Sequence, residues 1–501
     1  MPWQLAFLLC AVGVGVLFYL DRDTSVRNSK ALWLPTFWLG LAGSRGVSGW
    51  FGMGPSSSPQ AALQGNPMDA AVFGALLAIG IIVLLARRKK ASAYLVLIVP
   101  IIAYSLYCLI SVSWSTDPGP ALKRWIKDMG DVVMVLIIAT DPEPLAAIRR
   151  LYARLGFILL PVSVFLIHYT TLGRTWDADG TLSVVGVTTN KNVLGLIVFV
   201  ISLGALWNVR WLLMNRDEPN RPRRLVAEGI LLLFGLALLR MAHSSTSLAC
   251  FLLGSVLLLA THLRAIKRRP SRVNWLCLAV IVVGGLIFAF GGSSDVASAL
   301  GRQSSFSGRT LIWAALLPAV SDPILGTGFD SFWTSPNVLI FQHNLSLIHW
   351  YHPEYLNEAH NGYLEVYLNL GLIGVCLIAL VLGTGYWRAS RAFRRNPEAG
   401  SLFLAIIMSG AVYSVTEAGF RTLSPMWFFL LLAIVGASGA SVGLFATDAP
   451  KIRAKRRTWA IQVPEMPDLG PQAIQTLNET SARPSPWTGG AVPAQKPWTL
   501  R

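Results

Sequence analysis

Apolar runs long enough to cross a lipid bilayer recur along most of this chain. A membrane-spanning helix needs about 17–25 predominantly apolar residues. The pattern predicts an all-α polytopic membrane protein with about 12–13 transmembrane helices. The predicted spans lie near residues 4–20, 31–44, 69–86, 93–113, 128–141, 151–168, 190–213, 225–242, 246–263, 273–291, 362–387, 399–417 and 424–444.

Three of these runs need comment. The second and fifth are short, so each is interpreted as a tilted or re-entrant segment. The first run, Leu5 to Leu20, is not followed by an A-x-A-like cleavage site. We therefore interpret it as a span and not as a signal peptide.

Basic residues cluster in every second connection between the runs. Because cytoplasmic loops of membrane proteins are enriched in Lys and Arg, these connections are assigned to the cytoplasm. The largest connection on the opposite side, about 292–361, is then one large loop on the outer face. Lys123, Arg124 and Lys127 are an exception, since they fall on the outer side. The cytoplasmic clusters lie within 87–90, 149–150, 221–224, 267–272, 388–395 and 451–457.

The apolar pattern stops near residue 444, and this divides the chain. Residues 1–444 are predicted to form the transmembrane domain, with the 292–361 loop inside it. Residues 445–501 are rich in Pro, Ala, Gln and Thr and lack apolar periodicity, which predicts a disordered cytoplasmic tail.

Composition supports the membrane assignment. The chain has 501 residues, of which 53% are hydrophobic and 13% charged, whereas soluble domains carry about 25% charged residues. Its net charge of +17 lies in short loops beside apolar runs, so no nucleic-acid partner is expected. The spacing of the five cysteines fits neither a metal site nor a disulfide framework.

The large outer loop contains a predicted short helix with an arginine in its first turn. Ser307 or Gly308 can cap a helix that runs to about Val320, and Pro323 prevents its continuation. Arg309 would present a planar fork of donors suited to phosphate oxygens. The alternative is an arginine that reaches to lipid headgroups.

His360 precedes an apolar helix, where a histidine can act as a catalyst or as a structural hydrogen-bonding residue. Glu365 lies inside the same run, and a carboxylate in a membrane indicates function or a buried partner. His343, His349, His352 and His360 have spacings that match no common zinc site, so no metal is expected.

Further polar groups lie on the predicted outer face. Lys191 begins a span and is either a phosphate ligand or an interfacial anchor, and Arg174 is another outer cation. Glu417 and Arg421 can form a simple i,i+4 pair. Because cations are disfavoured on this side, the set Lys123, Arg124, Arg174, Lys191, Arg309 and His360 indicates a polyanionic ligand.

Several motifs resemble those of the O-antigen ligase and Wzy-type polymerase superfamily. His360-Asn361, followed by Gly371 and Gly374, fits a pattern of that family at every position. The resemblance extends to Gly308-Arg309 with Trp313, to the Gly326-x-Gly328 turn, to Trp114-Ser115-x-Asp117-Pro118 and to Asn190-Lys191-Asn192-x-Leu194-Gly195.

The resemblance implies a GT-C-like membrane fold and an inverting glycosyl transfer on the periplasmic face of the bacterial inner membrane. No metal or cofactor would be needed, and the donor would be an oligosaccharide on undecaprenyl pyrophosphate. His360 would act as general base and Arg309 would hold the pyrophosphate. Further substrate-binding residues are predicted to be Asn361, Arg174, Lys191, Arg124, Arg240 and Glu417.

One motif departs from the ligases and favours a polymerase. Where many ligases carry Ser-Arg-Thr, this chain reads Ser244-Ser245-Thr246-Ser247-Leu248, and Arg240 lies one turn earlier. This form resembles the exopolysaccharide (succinoglycan-type) polymerase branch, whose partners would include chain-length regulators or export proteins. The alternatives are a ligase that transfers glycan to lipid A core and, in a different class, a polysaccharide transporter or flippase.

Overall fold

A computed structural model describes residues 2–23, 26, 29–53, 65–176, 180–290, 306–347 and 356–445. The predicted tail, 445–501, lies outside these residues apart from Phe445. Part of the predicted outer loop also lies outside them, including His349 and His352.

The described chain is almost entirely helical, and two short strands form its one described sheet. The helices are α1 (Trp3–Leu20), α2 (Trp33–Ala42), α3 (Val47–Trp50), α4 (Pro67–Ala86), α5 (Arg88–Leu97), α6 (Val99–Ser111), α7 (Pro118–Ala139), α8 (Pro144–Tyr169), α9 (Lys191–Met214), α10 (Arg221–Met241), α11 (Ser245–Ala260), α12 (Arg264–Arg268), α13 (Arg272–Phe290), α14 (Phe306–Leu316), α15 (Asn337–Ser346), α16 (Gly362–Arg395), α17 (Pro397–Thr416) and α18 (Pro425–Val442). Strands β1 (Arg174–Trp176) and β2 (Leu182–Val184) pair antiparallel, with Arg174 opposite Val184.

The structure is that of an all-α polytopic membrane protein. Seven described helices are long and apolar enough to cross a bilayer, or up to eight if the bent pair α5–α6 counts as one span. The prediction of 12–13 spans also included runs that form shorter or more charged helices, among them α2, α7, α10 and α11.

Two predicted spans differ from the observed helices for clear reasons. The run at 93–113 is not one helix, because α5 and α6 meet at a bend of 84°. Pro100 in the first turn of α6 lacks an N–H and disfavours helical backbone before it. The run at 128–141 is the second half of a longer helix, α7, whose first half carries Lys123, Arg124 and Lys127.

Helix α18 lies at the centre of the bundle and is buried along almost its whole length. It packs against α7, α16 and α17. In contrast, α1 and α4 expose most of their apolar side chains. In a membrane protein such outward apolar faces contact lipid, whereas the central helices contact one another.

Helix α16 is interrupted at Gly371, whose φ of 61° and ψ of −163° are not helical. The loop before α15 fills this break. Leu372 N–H donates to the Pro323 carbonyl at 2.9 Å, and Gly328 N–H donates to the Asn369 carbonyl at 2.9 Å. A Cβ on Gly371 would lie 2.1 Å from the Ile324 carbonyl oxygen, so only glycine fits.

Asn369 completes this docking from within the first half of α16. Its side-chain oxygen accepts hydrogen bonds from the backbone N–H groups of Ser331 at 2.7 Å and Phe332 at 2.9 Å. The turn around Gly326 and Gly328, which have φ of +71° and +96°, was predicted from the sequence. The structure shows that it is fixed to the helix that begins after His360.

The predicted loop helix is present as α14, followed by a 3₁₀ turn at Leu317–Ala319. It begins at Phe306, so the prediction that Ser307 or Gly308 caps it is wrong. Both residues lie inside its first turn, together with Arg309. After this helical region, Asp322 forms a turn. Its Oδ1 accepts from the backbone N–H groups of Ile324 and Leu325 at 2.8 and 2.9 Å.

Candidate active site at the mouth of helix α16

His360 lies immediately before α16 in a left-handed backbone conformation, with φ of 48°. Asn361 is the N-cap of the helix, and its Oδ1 accepts from the N–H groups of Tyr363 and Leu364 at 3.0 and 3.1 Å. Gly362 N–H donates to the Glu417 carbonyl at 3.0 Å. The His360 segment is therefore fixed both to its own helix and to the end of α17.

Two carboxylates flank the imidazole of His360. Its Nδ1 lies 2.8 Å from Glu358 Oε1 and 3.6 Å from Glu417 Oε2. The Glu417 side chain is only 5% exposed, whereas His360 and Glu358 remain partly accessible at 23% and 27%. A ligand that enters this site can therefore reach the imidazole directly.

Each of these carboxylates is paired with an arginine. Arg309 Nη2 donates to Glu417 Oε1 at 2.7 Å, and Arg421 Nη1 donates to Glu358 Oε2 at 3.3 Å. The expectation of an i,i+4 pair between Glu417 and Arg421 is wrong, because α17 ends at Thr416 and the chain turns away. We call Arg309, Glu358, His360, Glu417 and Arg421 the His360 cluster.

Residues from three predicted motifs meet at this cluster. Asn192, in the first turn of α9, donates its Nδ2–H to Glu417 Oε2 at 3.3 Å. Thr246, in the first turn of α11, lies 3.1 Å from Thr416 through their hydroxyl oxygens. Because Thr416 precedes Glu417, the Asn190–Gly195 and Ser244–Leu248 segments lie next to the residues around His360.

The charges of the cluster set the protonation of its members. Burial alone would lower the pKa of His360, but hydrogen bonding and attraction to Glu358 and Glu417 raise it to about 9. Burial alone would raise the pKa of Glu358, yet His360 and Arg421 lower it to about 2. At neutral pH the free site therefore holds an imidazolium beside the ionised carboxylate of Glu358.

The two carboxylates and the imidazole are close enough to one another to be considered as metal ligands. The candidate ligand atoms of Glu358, His360 and Glu417 all lie within 4.8 Å of one another. However, Arg309 and Arg421 already contact the two carboxylates, and a metal ion would have to replace or repel these cations. The donor set thus fits a salt-bridge network better than a metal centre.

Glu365 has a structural environment. It is buried, and its Oε1 accepts from the Ala359 N–H at 2.6 Å. Its Oε2 accepts from the Trp333 indole at 3.1 Å. Trp313 in turn donates to the Ala359 carbonyl at 2.8 Å. This intramembrane carboxylate therefore holds the segment before His360 against the loop.

The other predicted substrate-binding residues lie at different distances from the cluster. Arg124 pairs with Asp330 at 3.5 Å, in the turn that docks on α16. Lys191 adjoins Asn192 at the start of α9. Arg174 donates to the Ile167 carbonyl at 2.8 Å, and no described contact joins it to His360. Arg240 is exposed, and its side chain makes no polar contact with the described residues.

Sequence reasoning did not select Glu358 or assign Arg421 its partner. A carboxylate two residues before a candidate histidine is a usable signal for Glu358. No local signal exists for the Arg421–Glu358 pair, because it depends on how the loop after α17 meets the segment before α16.

Comparisons with known proteins agree with the motifs. A protein-family model described as "Wzy_C: O-Antigen ligase" matches residues 229–379, which include Arg309, His360, Gly371 and Gly374. The chain is also similar to the "Exopolysaccharide production protein ExoQ" of Rhizobium meliloti (strain 1021). The two are 27% identical over 319 residues, which cover 60% of this chain and 68% of the relative. Residues 229–379 of this chain are therefore similar to the O-antigen ligase family, and the chain is similar to a protein named for exopolysaccharide production.

Proposed function

We propose that this protein is a polyprenyl-pyrophosphate-dependent glycosyltransferase that polymerises an exopolysaccharide on the periplasmic face of the inner membrane. Its donor would be a growing glycan on undecaprenyl pyrophosphate, and its acceptor a new lipid-linked repeat unit. The observation that carries the proposal is the proximity of Arg309 and His360, which both contact Glu417 at the mouth of α16.

The proposed reaction is a single displacement at the anomeric carbon. The acceptor hydroxyl oxygen forms a bond to that carbon while the bond to the diphosphate oxygen breaks. The hydroxyl proton passes to the neutral imidazole of His360, and the electron pair leaves with the diphosphate. Arg309 balances the charge that develops on the leaving group. Attack from the opposite face inverts the anomeric configuration.

Glu358 supports the base role of His360 through position and charge. A carboxylate on one imidazole nitrogen orients the ring and stabilises the imidazolium that forms when the other nitrogen accepts a proton. Arg421 holds Glu358 from its far side at 3.3 Å. Neither residue needs to contact the substrate for this role.

A ligase is the second candidate, because the matched family model is described as an O-antigen ligase. It would share the donor and the chemistry and differ only in its acceptor, the lipid A core. The relative named for exopolysaccharide production favours the polymerase.

Analysis of glycan pools in a deletion strain separates these two functions. The strain is complemented with wild-type protein or with His360→Ala, and surface and lipid-linked glycans are extracted and sized. A polymerase predicts loss of high-mass exopolysaccharide, with single repeat units left on undecaprenyl pyrophosphate. Full-length polymer on undecaprenyl pyrophosphate with a bare lipid A core would instead show a ligase, and unchanged pools would contradict both.

A further inference from the structure

A groove with an apolar floor and two lysines lies between helices α2, α4 and α7. It has a volume of about 120 Å³, and we call it the lysine groove. Trp38 and Phe73 are buried at its floor, and Gly74 and Ile126 are exposed at its margin. Its principal lining residues are Trp38, Phe73, Leu77, Lys123, Ile126 and Lys127.

The floor of the groove is held rigidly. The Trp38 indole donates to Asp131 Oδ1 at 2.6 Å and packs edge-on against Phe73, with ring centroids 4.8 Å apart. Gly130 lets α7 approach Trp38, because a Cβ there would lie 2.1 Å from the indole ring. The floor of the lysine groove is therefore formed by side chains that are packed between α2, α4 and α7.

Lys123 and Lys127 lie one turn apart on α7, so both ammonium groups reach the same side of the helix. Neither forms an ion pair with a residue in the described part of the chain. Arg124, between them, binds Asp330 instead. Lys123 is exposed, and Lys127 is partly buried, where the charges of Asp69 and Asp330 act on it without forming an ion pair. Together with Arg124, the two lysines attract an anionic ligand to this side of the groove.

The lysine groove lies at the same end of the bundle as the His360 cluster. Asp330 belongs to the turn that is hydrogen-bonded to the first half of α16 through Asn369. The charge of Asp330 also acts on Lys127 on one side and on Arg421 on the other. A ligand headgroup at the lysines would therefore lie beside the turn that is docked on the first half of α16.

We propose that the lysine groove binds the isoprenoid diphosphate of the acceptor repeat unit. An apolar cavity of ~150 Å³ in a protein admits a hydrocarbon as large as benzene, so this groove accommodates a short branched segment of an isoprenoid chain. Lysine ammonium groups bind phosphate oxygens as point charges. An isoprenoid diphosphate combines both features in one ligand.

The proposed polymerisation requires such a second site, so this inference rests on the proposed function. A polymerase condenses two substrates that each carry an anionic diphosphate on a lipid. Arg309 is assigned to the donor, whose diphosphate is released. The acceptor diphosphate is not released and must lie elsewhere, because two diphosphates at one arginine would repel each other. A ligase, whose acceptor is not an isoprenoid, has no use for this groove.

Counting bound undecaprenyl diphosphate on the intact protein tests the inference. The full chain is placed in phosphatidylcholine nanodiscs, titrated with undecaprenyl diphosphate and measured by native mass spectrometry. Wild type should bind two molecules, and Lys123→Gln/Lys127→Gln should bind one, with the second at least tenfold weaker. Lys89→Gln/Lys90→Gln, which removes two exposed lysines in the first turn of α5, is the matched control and should bind two.

A second variant tests the groove without changing any charge. A Cβ on Gly74 would meet no neighbouring group within 4 Å, so Gly74→Leu should fold normally and fill the cavity. It too should bind only one undecaprenyl diphosphate. Retention of two molecules in both groove variants would overturn the proposal. A parallel titration uses phosphatidylglycerol. If the groove variants lose phosphatidylglycerol but still bind two undecaprenyl diphosphates, the groove binds ordinary phospholipid, and the proposal is overturned.

Kinetics separate failure of this inference from failure of the proposed function. The groove variants should raise the KM for the lipid-linked repeat unit at least tenfold and leave the KM for the donor within twofold. If they leave both KM values unchanged while His360→Ala abolishes polymer, only the groove assignment fails. If His360→Ala forms polymer at the wild-type rate, the proposed function fails as well.

Discussion

His360 lies between the carboxyl groups of Glu358 and Glu417, and this makes its protonation the central property at the residue scale. Glu358 and Glu417 favour the imidazolium and raise the pKa of His360 to about 9. A general base acts only in its neutral form. If His360 is a general base, activity should therefore rise with pH, whereas a purely electrostatic role predicts that activity falls.

Transfer activity should rise with pH and level off above about 9, because the neutral imidazole becomes the major form only there. The measurement is the initial rate of glycan transfer between pH 6 and 10 in reconstituted membranes. If His360 acted only as a positive charge beside the diphosphate, activity would instead fall as the pH passed about 9.

Glu358→Gln should move the rise in activity to lower pH, since one of the two charges that stabilise the imidazolium is removed. The maximal rate should also fall, because the ring loses its nearest partner at 2.8 Å. Asp217→Asn, at an exposed site after α9 ends, is the control for a lost carboxylate. An unshifted profile in Glu358→Gln would exclude Glu358 as the positioning residue.

The His360–Glu358 pair should also change the melting temperature in a way that depends on pH. The pKa of His360 is raised above its ordinary value of 6.5, so its pairing stabilises the fold fully below pH 6.5 and loses this effect as the pH rises through about 9. The difference in melting temperature between wild type and Glu358→Gln should therefore shrink between these values. A difference that is constant over this range would contradict the pairing.

Arg309→Lys should reduce donor turnover at least tenfold, although the charge is kept. Lysine offers a point charge where arginine offers a planar fork for phosphate oxygens. Arg216→Lys, an exposed change after α9, serves as the control. Unchanged donor KM and turnover in Arg309→Ala would remove Arg309 from the site.

At the element scale, the break in α16 positions the His360 cluster. The Pro323–Gly328 segment is hydrogen-bonded to backbone exposed at Gly371, and Asn369 binds the next residues of the loop. Glu365 ties the segment before His360 to Trp333 of the same loop. The first half of α16 and the loop therefore form one unit that carries His360.

Gly371→Ala should destabilise the protein, because the backbone at φ 61° and ψ −163° is accessible almost only to glycine. The expected cost is of order 1–3 kcal/mol for the backbone alone, and the Ile324 carbonyl must also move. Gly383→Ala in the same helix is the control. A Cβ at Gly383 would meet no neighbouring group within 4 Å, so this change should leave stability unchanged or increase it. Equal melting temperatures for the two variants would show that the loop does not depend on this break.

Sequence patterns predicted the helices themselves better than the tertiary contacts that the helices make. The apolar runs predicted the all-helical membrane fold, and the motif spacing pointed to Gly371 and Gly374. The partner of Gly371 is Ile324, far away in sequence, so no local pattern could show why glycine is needed there. The bend at Pro100 was detectable in principle, but hydropathy averaged over a window passes smoothly across a single proline.

At the scale of the whole molecule, one end of the bundle collects the starts of α7, α9, α11 and α16 and the end of α17. The predicted motifs converge here because each lies at a helix end that faces this side. Arg309 and His360 were predicted as site residues, and Asn192 belongs to a predicted motif. Arg174 was predicted as an outer cation, and Arg240 as a substitute for the arginine of the ligase motif. Only the packing of the helices distinguishes these two groups.

This arrangement assigns separate tasks to separate parts of one end of the molecule. The His360 cluster would carry out the transfer, and the neighbouring loop would fix its geometry. The lysine groove would hold the lipid of the incoming unit. The proposed activity thus depends on both lipid-linked substrates reaching the same end from within the membrane.

The central claim is that His360 drives glycosyl transfer from a lipid diphosphate. The most direct test is to incubate the purified protein in nanodiscs with the proposed substrate, an undecaprenyl-pyrophosphate-linked repeat unit, and to measure released undecaprenyl pyrophosphate and glycan length together. Wild type should release one undecaprenyl pyrophosphate for each linkage formed, and His360→Ala should release none above background. Equal release and equal chain length in both proteins would contradict the account.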